Sequence, residues 1–129
     1  MNILITGCCG FIGFSLAKDF LKKKENRVLG IDDIDNYYDV KLKLNRLKEL
    51  KKNKKFIFKK INIKNSLKID DFFKRNKLDA IFHFAAQAGV RYSFINPTKY
   101  LDSNINGFFN ILESARKFKI KKIIIASSS

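Results

Sequence analysis

Short apolar runs alternate with longer amphipathic stretches along the whole chain. Asn2–Thr6, with Ile3, Leu4 and Ile5 uninterrupted by charge, predicts a buried strand that ends at Gly7. Phe11 to Lys24 predicts a helix, with Phe11, Phe14, Ser15, Ala17, Phe20 and Leu21 on its inner stripe and Lys22–Lys24 at its C-terminal end. Arg27–Asp32 is a second strand, and Val40 to Lys52 a second helix carrying Leu42, Leu44, Leu47 and Leu50. Lys55–Ile61 is a third strand, followed by a helix from Leu67 to Arg75 that Ser66 can cap and that turns Ile69, Phe72 and Phe73 inward. Ala80–Phe84 is a fourth strand. Pro97 suits the first turn of a long helix reaching Phe118, and Lys122–Ala126 is a fifth strand.

Strands that read apolar throughout, each followed by a helix, predict a parallel sheet covered on both faces. Right-handed crossovers then give an α/β fold, a doubly wound Rossmann-type sheet of five strands in the order 3-2-1-4-5.

The chemistry begins at the first strand-to-helix turn. Gly7-Cys8-Cys9-Gly10-Phe11-Ile12-Gly13 stands where a dinucleotide's pyrophosphate needs a tight turn, a bare backbone and close helix–strand packing. Asp32 ends the second strand at about the offset from Gly13 at which a carboxylate accepts the ribose hydroxyls; Asp33 and Asp35 could serve instead. A carboxylate there also repels a 2′-phosphate, which predicts NAD over NADP.

Around the fourth strand, Phe82-His83-Phe84-Ala85-Ala86-Gln87-Ala88-Gly89 leaves room for a cofactor to pass over the strand end. His83 is the only histidine, and strand alternation turns it into a helix–sheet layer as a hydrogen-bonded core residue. Tyr37-Tyr38-Asp39-Val40-Lys41 has the spacing of a reductase Tyr-x-x-x-Lys pair, but it follows the second strand, at the adenosine end, and is rejected as catalytic. Arg91 suits either a phosphate or carboxylate or a helix end, and Asn104 either the cofactor or a helix–helix hydrogen bond. Ser127-Ser128-Ser129 follows the fifth strand, where a hydroxyl can meet a substrate oxygen or simply make a turn.

Composition narrows the setting. With 129 residues, the chain is one domain at most. No apolar run approaches the ~20 residues of a membrane helix, and no basic region precedes the first apolar run as in a secretory leader. Cys8 and Cys9 are adjacent, with no third Cys or usable His to complete a metal set, so no metal and a reduced, cytoplasmic setting are expected. The net charge of +15 is mostly Lys clustered at helix ends and strand flanks, which reads as solvated surface more than as a nucleic-acid patch.

These pieces together resemble the extended short-chain dehydrogenase/reductases of the epimerase/dehydratase branch, over essentially the whole chain. The likeness is carried by Gly7 to Gly13, Asp32, His83 to Ala88, Asp102-Ser103-Asn104-Ile105-Asn106-Gly107 and Ala126 to Ser129. It is narrowest to UDP-glucuronate 4-epimerases at Asp35-Asn36-Tyr37-Tyr38-Asp39-Val40-Lys41-Leu42-Lys43 and Ala86-Gln87-Ala88-Gly89-Val90-Arg91-Tyr92-Ser93.

The resemblance implies NAD bound by Gly7, Gly10, Phe11, Ile12, Gly13, Asp32, Asn62, Ile63, Ala85, Ala86, Gln87 and Asn104. It implies a UDP-sugar met by Arg91, Ser127 and Ser129, with Ser128 as the catalytic hydroxyl on the reacting oxygen. A tyrosine aided by a lysine takes the proton from the sugar's 4-hydroxyl while NAD takes the hydride, and the 4-keto sugar turns over before the hydride returns. The resemblance also implies a homodimer for the full-length protein. That tyrosine–lysine pair and the nucleotide-binding domain are expected beyond Ser129, which would make residues 1–129 the cofactor part, inactive alone. Asn62 departs from the family's usual Asp. The alternatives are a nucleotide-sugar 4,6-dehydratase of the same branch, a non-catalytic dinucleotide-binding module and a basic nucleic-acid binder.

Overall fold

A computed structural model describes residues 1–127; Ser128 and Ser129 lie outside the described residues. Strands β1 (Asn2–Thr6), β2 (Arg27–Asp32), β3 (Phe56–Lys60), β4 (Ala80–His83) and β5 (Ile123–Ile125) form one sheet in the order β3-β2-β1-β4-β5. All pairings are parallel, and central Leu4 stands between Leu29 of β2 and Ile81 of β4. The doubly wound sheet predicted from the alternation is the one observed.

Both faces of the central strands β1, β2 and β4 are covered, which is why they carry no polar face, whereas Ile124 and Ile125 of the edge strand β5 are exposed. Ile3, Ile5 and Val28 pack under α1 (Phe11–Lys22) and α2 (Val40–Leu50), against Ala17, Leu21, Leu47 and Leu50. Leu4, Leu29, Ile31 and Ile81 pack under α3 (Ser66–Arg75) and the C-terminal helix, against Ile69, Phe72, Phe73, Ile111 and Ala115. The lysine clusters Lys22–Lys24, Lys51-Lys52 and Lys54-Lys55 are exposed, and Lys59-Lys60 end the edge strand β3, where charge discourages pairing with another chain. Among the described residues no helix is long and apolar enough to cross a membrane.

Several elements differ from expectation. Phe11 is 73% exposed, because Gly13, Ala17 and Leu21 form the buried stripe of α1. On α2 the inner positions are Lys43, Leu47 and Leu50, an i, i+4, i+7 set, and this leaves Leu42 and Leu44 outside. The cap of α3 is Asn65, whose side-chain oxygen accepts from Lys68 N; Ser66 is already the first helical residue. The long helix expected from Pro97 to Phe118 is present and continuous, but its middle is not α-helical. It begins after the short helix α4 (Val90–Ser93) and runs as α5 (Pro97–Tyr100), a π-helical segment Leu101–Gly107 and α6 (Phe108–Lys117). Gly107 passes so close to Ile63 that a Cβ would stand 2.6 Å from its side chain, and Asn104 is turned to the loop after β4.

His83 is the buried, hydrogen-bonded histidine that strand alternation implied. Its ring stacks on Phe108 with centroids 5.1 Å apart, and its Nδ1 lies 2.8 Å from Thr6 Oγ1. Thr6 Oγ1 already accepts from the N–H groups of Phe84 and Ala85, at 3.1 and 3.0 Å, so its own proton points to Nδ1. Burial pulls the imidazole down to about 4, and a hydroxyl with no lone pair to spare opposes a proton on Nδ1. The unfolded chain therefore takes up a proton below about pH 6.5 that the folded chain refuses until about pH 4. Stability from this group is complete above pH 6.5 and falls as pH drops through that window, by on the order of 3 kcal/mol in all. In thermal unfolding measured against pH, His83→Asn, whose amide oxygen can take the place of Nδ1, should lose the part of the decline between about pH 6.5 and 5. An unchanged profile in the variant would exclude His83 as its source.

Candidate functional site

The site is built where β1 ends. Thr6 is the last residue of the strand, and Gly7 turns the chain at φ +69°. Gly7 N donates to Ile31 O at 2.8 Å, and Cys9 N donates to Asp32 Oδ2 at 2.9 Å, so the turn is held against the end of β2. Close packing excludes side chains at two of the three glycines. A Cβ on Gly7 would stand 2.8 Å from Ala85 N, and one on Gly13 would stand 2.2 Å from Gly7 O. Gly10 is different: its Cβ would stand 3.1 Å from Gly7 O and 4.0 Å from the hydroxyl of Tyr38, on the cleft side. Gly10 is also the N-cap of α1 and brings no side-chain oxygen, so the first N–H groups of that helix are available to an external acceptor.

One cleft gathers most of the predicted cofactor residues. Gly7, Gly10, Asp32, Asn62, Ile63, Ala85, Ala86 and Gln87 line it, together with Asp33, Asp35, Tyr37, Tyr38, Lys43 and Lys99. Asp32 is 9% exposed and accepts Cys9 N on one oxygen and Ile34 N on the other, which leaves one lone pair of each for a ligand hydroxyl. Burial, and next the Asp32 charge, push the Asp33 carboxyl up. Asn62 Nδ2 donates to Asp33 Oδ2 at 2.8 Å while its own oxygen accepts Lys64 N. A carboxylate at position 62 would put two anions face to face; the amide supplies a donor instead.

Other predicted residues stand elsewhere. Gly13 is buried behind the turn, and Phe11 and Ile12 are exposed outside the lining, so only their backbone N–H groups belong to the turn. Asn104 is also outside it. Its amide oxygen accepts Gln87 N at 2.8 Å and its amide nitrogen donates to Gln87 O at 3.0 Å, so it acts on the loop after β4. Arg91 is exposed on α4, and Ser127 is exposed beyond β5. Ser128 and Ser129 lie outside the described residues.

Tyr37 packs on Tyr92, and Lys41 is exposed on the first turn of α2, an arrangement unlike a reductase pair. Sequence reasoning found no third metal ligand for Cys8 and Cys9, yet the fold brings Asp32 to them, with ligand atoms within 4.8 Å. The Cys8 thiol is raised well above its usual value by its hydrogen bond to Cys9 and by burial, which works against the thiolate a metal requires.

Sequence reasoning missed Thr6, whose hydroxyl ties the ends of β1 and β4 together, and Lys43, which reaches the cleft from an inward helix position. A polar residue directly after the apolar run Ile3-Leu4-Ile5 was the signal for Thr6. Thr6→Val keeps the shape but strips partners from Ala85 N–H and His83 Nδ1; it should destabilise the chain by about 2–4 kcal/mol. Thr6→Ser should cost about 1 kcal/mol or less. Denaturant unfolding of both variants checks this, and equal losses would remove the hydroxyl from its role.

Known proteins share this fold. The UDP-glucuronic acid 4-epimerase of Bacillus cereus, solved with UDP-glucuronic acid and NAD, superposes with a TM-score of 0.91 at 32% identity, over 100% of this chain and 40% of that one. Protein CapI of Staphylococcus aureus is 48% identical over 129 residues, and a UDP-glucuronate 4-epimerase of Thermodesulfobacterium geofontis is 45% identical over 126. The match takes in 100% and 98% of this chain but 38% and 39% of theirs, so the chain spans about two fifths of the length of these relatives. The family model described as GDP-mannose 4,6 dehydratase matches residues 4–129. A match of that extent, on this sheet order and this glycine turn, makes the chain a member of the GDP-mannose 4,6-dehydratase family.

Proposed function

We propose that the cleft binds NAD and that the chain is the cofactor-binding part of a UDP-sugar 4-epimerase acting on UDP-glucuronate. The observation that carries the reading is the glycine turn and the Asp32 carboxylate facing one cleft, joined by the Cys9 N–H. The donor set fits the dinucleotide. Gly7, Gly10 and the N–H groups of Phe11, Ile12 and Gly13 receive the pyrophosphate, because the first turn of α1 has no internal acceptor for them. Asp32 accepts the adenosine ribose hydroxyls on its remaining lone pairs. Asn62 and Ile63 flank the adenine. Ala85, Ala86 and Gln87 carry the far ribose over β4, and Asn104 fixes their backbone.

In the whole protein, bound NAD would supply the acceptance and return of a hydride at the sugar's C4. The chain's own share of that chemistry is to orient the cofactor and keep water from it. Ser128 would hydrogen-bond the reacting oxygen, with Arg91, Ser127 and Ser129 on the uronate or phosphate side. The base that takes the 4-hydroxyl proton belongs to a Tyr-x-x-x-Lys pair outside these residues. We assign the protein to the cytoplasm, without nucleic acid, membrane or metal as partner. A homodimer is supported by the exposed apolar stripe Leu101, Ile105, Phe109 and Leu112. The family model's own description favours a 4,6-dehydratase as the second reading.

Two measurements test the proposal. Calorimetric titration should give tighter binding of NAD than of NADP, since Asp32, Asp33 and Asp35 all face the cleft and repel a 2′-phosphate; Asp32→Ala should weaken NAD by about tenfold or more. Gly10→Val should abolish NAD binding yet leave a folded chain, because its side chain enters the cleft where the pyrophosphate would lie. Tighter NADP binding, or full NAD binding by the Gly10 variant, would sink it. For the substrate, conversion of UDP-glucuronate to UDP-galacturonate by the complete protein, followed by chromatography, separates epimerase from dehydratase.

A further inference from the structure

Two loops stand on either side of the glycine turn and meet above it. One joins β2 to α2 and holds Asp33 to Asp39; the other follows β4 and leads into α4 and α5. Because β2 and β4 both pair with β1, any contact between these loops bridges the carboxyl end of β1. Tyr37 packs on Tyr92, with ring centroids 4.9 Å apart. Lys99 Nζ is 2.9 Å from Asp35 Oδ2, in a pair whose side chains are only 23% and 28% exposed. The same ammonium lies 5.9 Å from the Tyr37 ring and 5.6 Å from the Tyr92 ring. The Tyr37 hydroxyl covers Gly89, where a Cβ would stand 2.2 Å from it.

Each side is anchored independently. On the β2 side, Lys43 Nζ donates to Asp35 O at 2.6 Å and lies over the Tyr38 ring. On the β4 side, Asn104 holds Gln87 by both backbone groups, and the Tyr100 hydroxyl donates to the carbonyls of Ala88 and Gly89. Tyr37, Lys99 and Ala88 line the same cleft as Gly7, Gly10 and Asp32. The bridge also joins the two stretches, Asp35–Lys43 and Ala86–Ser93, in which the sequence resemblance is narrowest.

We propose that Tyr37, Tyr92 and the Lys99–Asp35 pair form a clasp over the dinucleotide that slows its departure. These are positioning residues, acting on how long the cofactor stays. The inference rests on the reading that NAD occupies the cleft. A reaction that takes a hydride from a sugar and returns it to the same sugar needs such retention, since a reduced cofactor lost midway leaves the sugar oxidised. Ring stacking, a cation over two rings and a partly screened ion pair are each small effects, and acting together on a bound state they change the dissociation rate more than the association rate.

The test is stopped-flow release of NAD from the purified chain into excess ADP-ribose, with Tyr92→Ala, Lys99→Met and the conservative Tyr92→Phe. We expect Tyr92→Ala and Lys99→Met to release NAD about tenfold faster, with association and cofactor-free melting little changed, and Tyr92→Phe to behave as the unaltered chain. Salt should speed release from the unaltered chain by screening the ion pair, and should do so less in Lys99→Met. If the unaltered chain binds NAD and both disruptive variants release it at the original rate, the clasp is overturned while the cofactor reading stands. If the unaltered chain binds no NAD, both fall.

Discussion

Everything in the site depends on how closely backbones approach at the end of β1. Gly7 turns there with φ +69°, Ala85 of the neighbouring strand end lies against it, and Gly13 of α1 backs onto its carbonyl; side chains at Gly7 or Gly13 would overlap main-chain atoms. Bringing three segments this close buries polar main-chain groups, and each needs a partner. Thr6 and Asp32 supply them. The Thr6 hydroxyl accepts two N–H groups from the end of β4, and the Asp32 carboxylate accepts Cys9 N from the turn and Ile34 N from its own loop. Small residues and short polar side chains at these places are one requirement seen from two sides.

The same economy explains the neighbouring charges. Asp32 is buried and accepts a backbone N–H on each oxygen, while the Asp33 carboxyl beside it is pushed up by burial and by Asp32 and takes an amide hydrogen from Asn62. Lys43 and Lys99 come to the cleft from different helices, and each is engaged with Asp35, one through its carbonyl and one through its carboxylate. The excess positive charge of the chain lies elsewhere, on exposed lysines at helix ends and on the edge strand.

Among the described residues the π-helical segment is the one large departure from regular structure, and it borders the cleft through Ser103. Such segments widen a helix by a residue and recur at functional sites. Here the segment contains Asn104, clamped on both backbone groups of Gln87, and ends at Gly107, packed on Ile63. Two parts of the cleft, the loop after β4 and the side lined by Ile63, are thereby set against one helix.

The order of strands and helices, the parallel sheet, the glycine turn and the acidic end of β2 were legible from residue pattern, because apolar runs and small residues mark places where the chain has no local alternative. His83 could be assigned to the core on strand alternation alone. Long-range choices were not legible. The inward place on α2 went to Lys43 instead of Leu42 or Leu44, since a hydrogen bond to Asp35 O and the Tyr38 ring offset the burial of its ammonium. The π-helical stretch Leu101–Gly107 has no local signal, since it accompanies the clamp on a residue 17 positions away. Tyr37, read locally as half of a rejected catalytic pair, found its partner in Tyr92, which only the parallel pairing of β2 and β4 with β1 could bring near. Sequence by itself determined which segments are buried and where the backbone must be bare; tertiary structure decided which distant side chains meet there, because those meetings depend on strand order and not on neighbours along the chain.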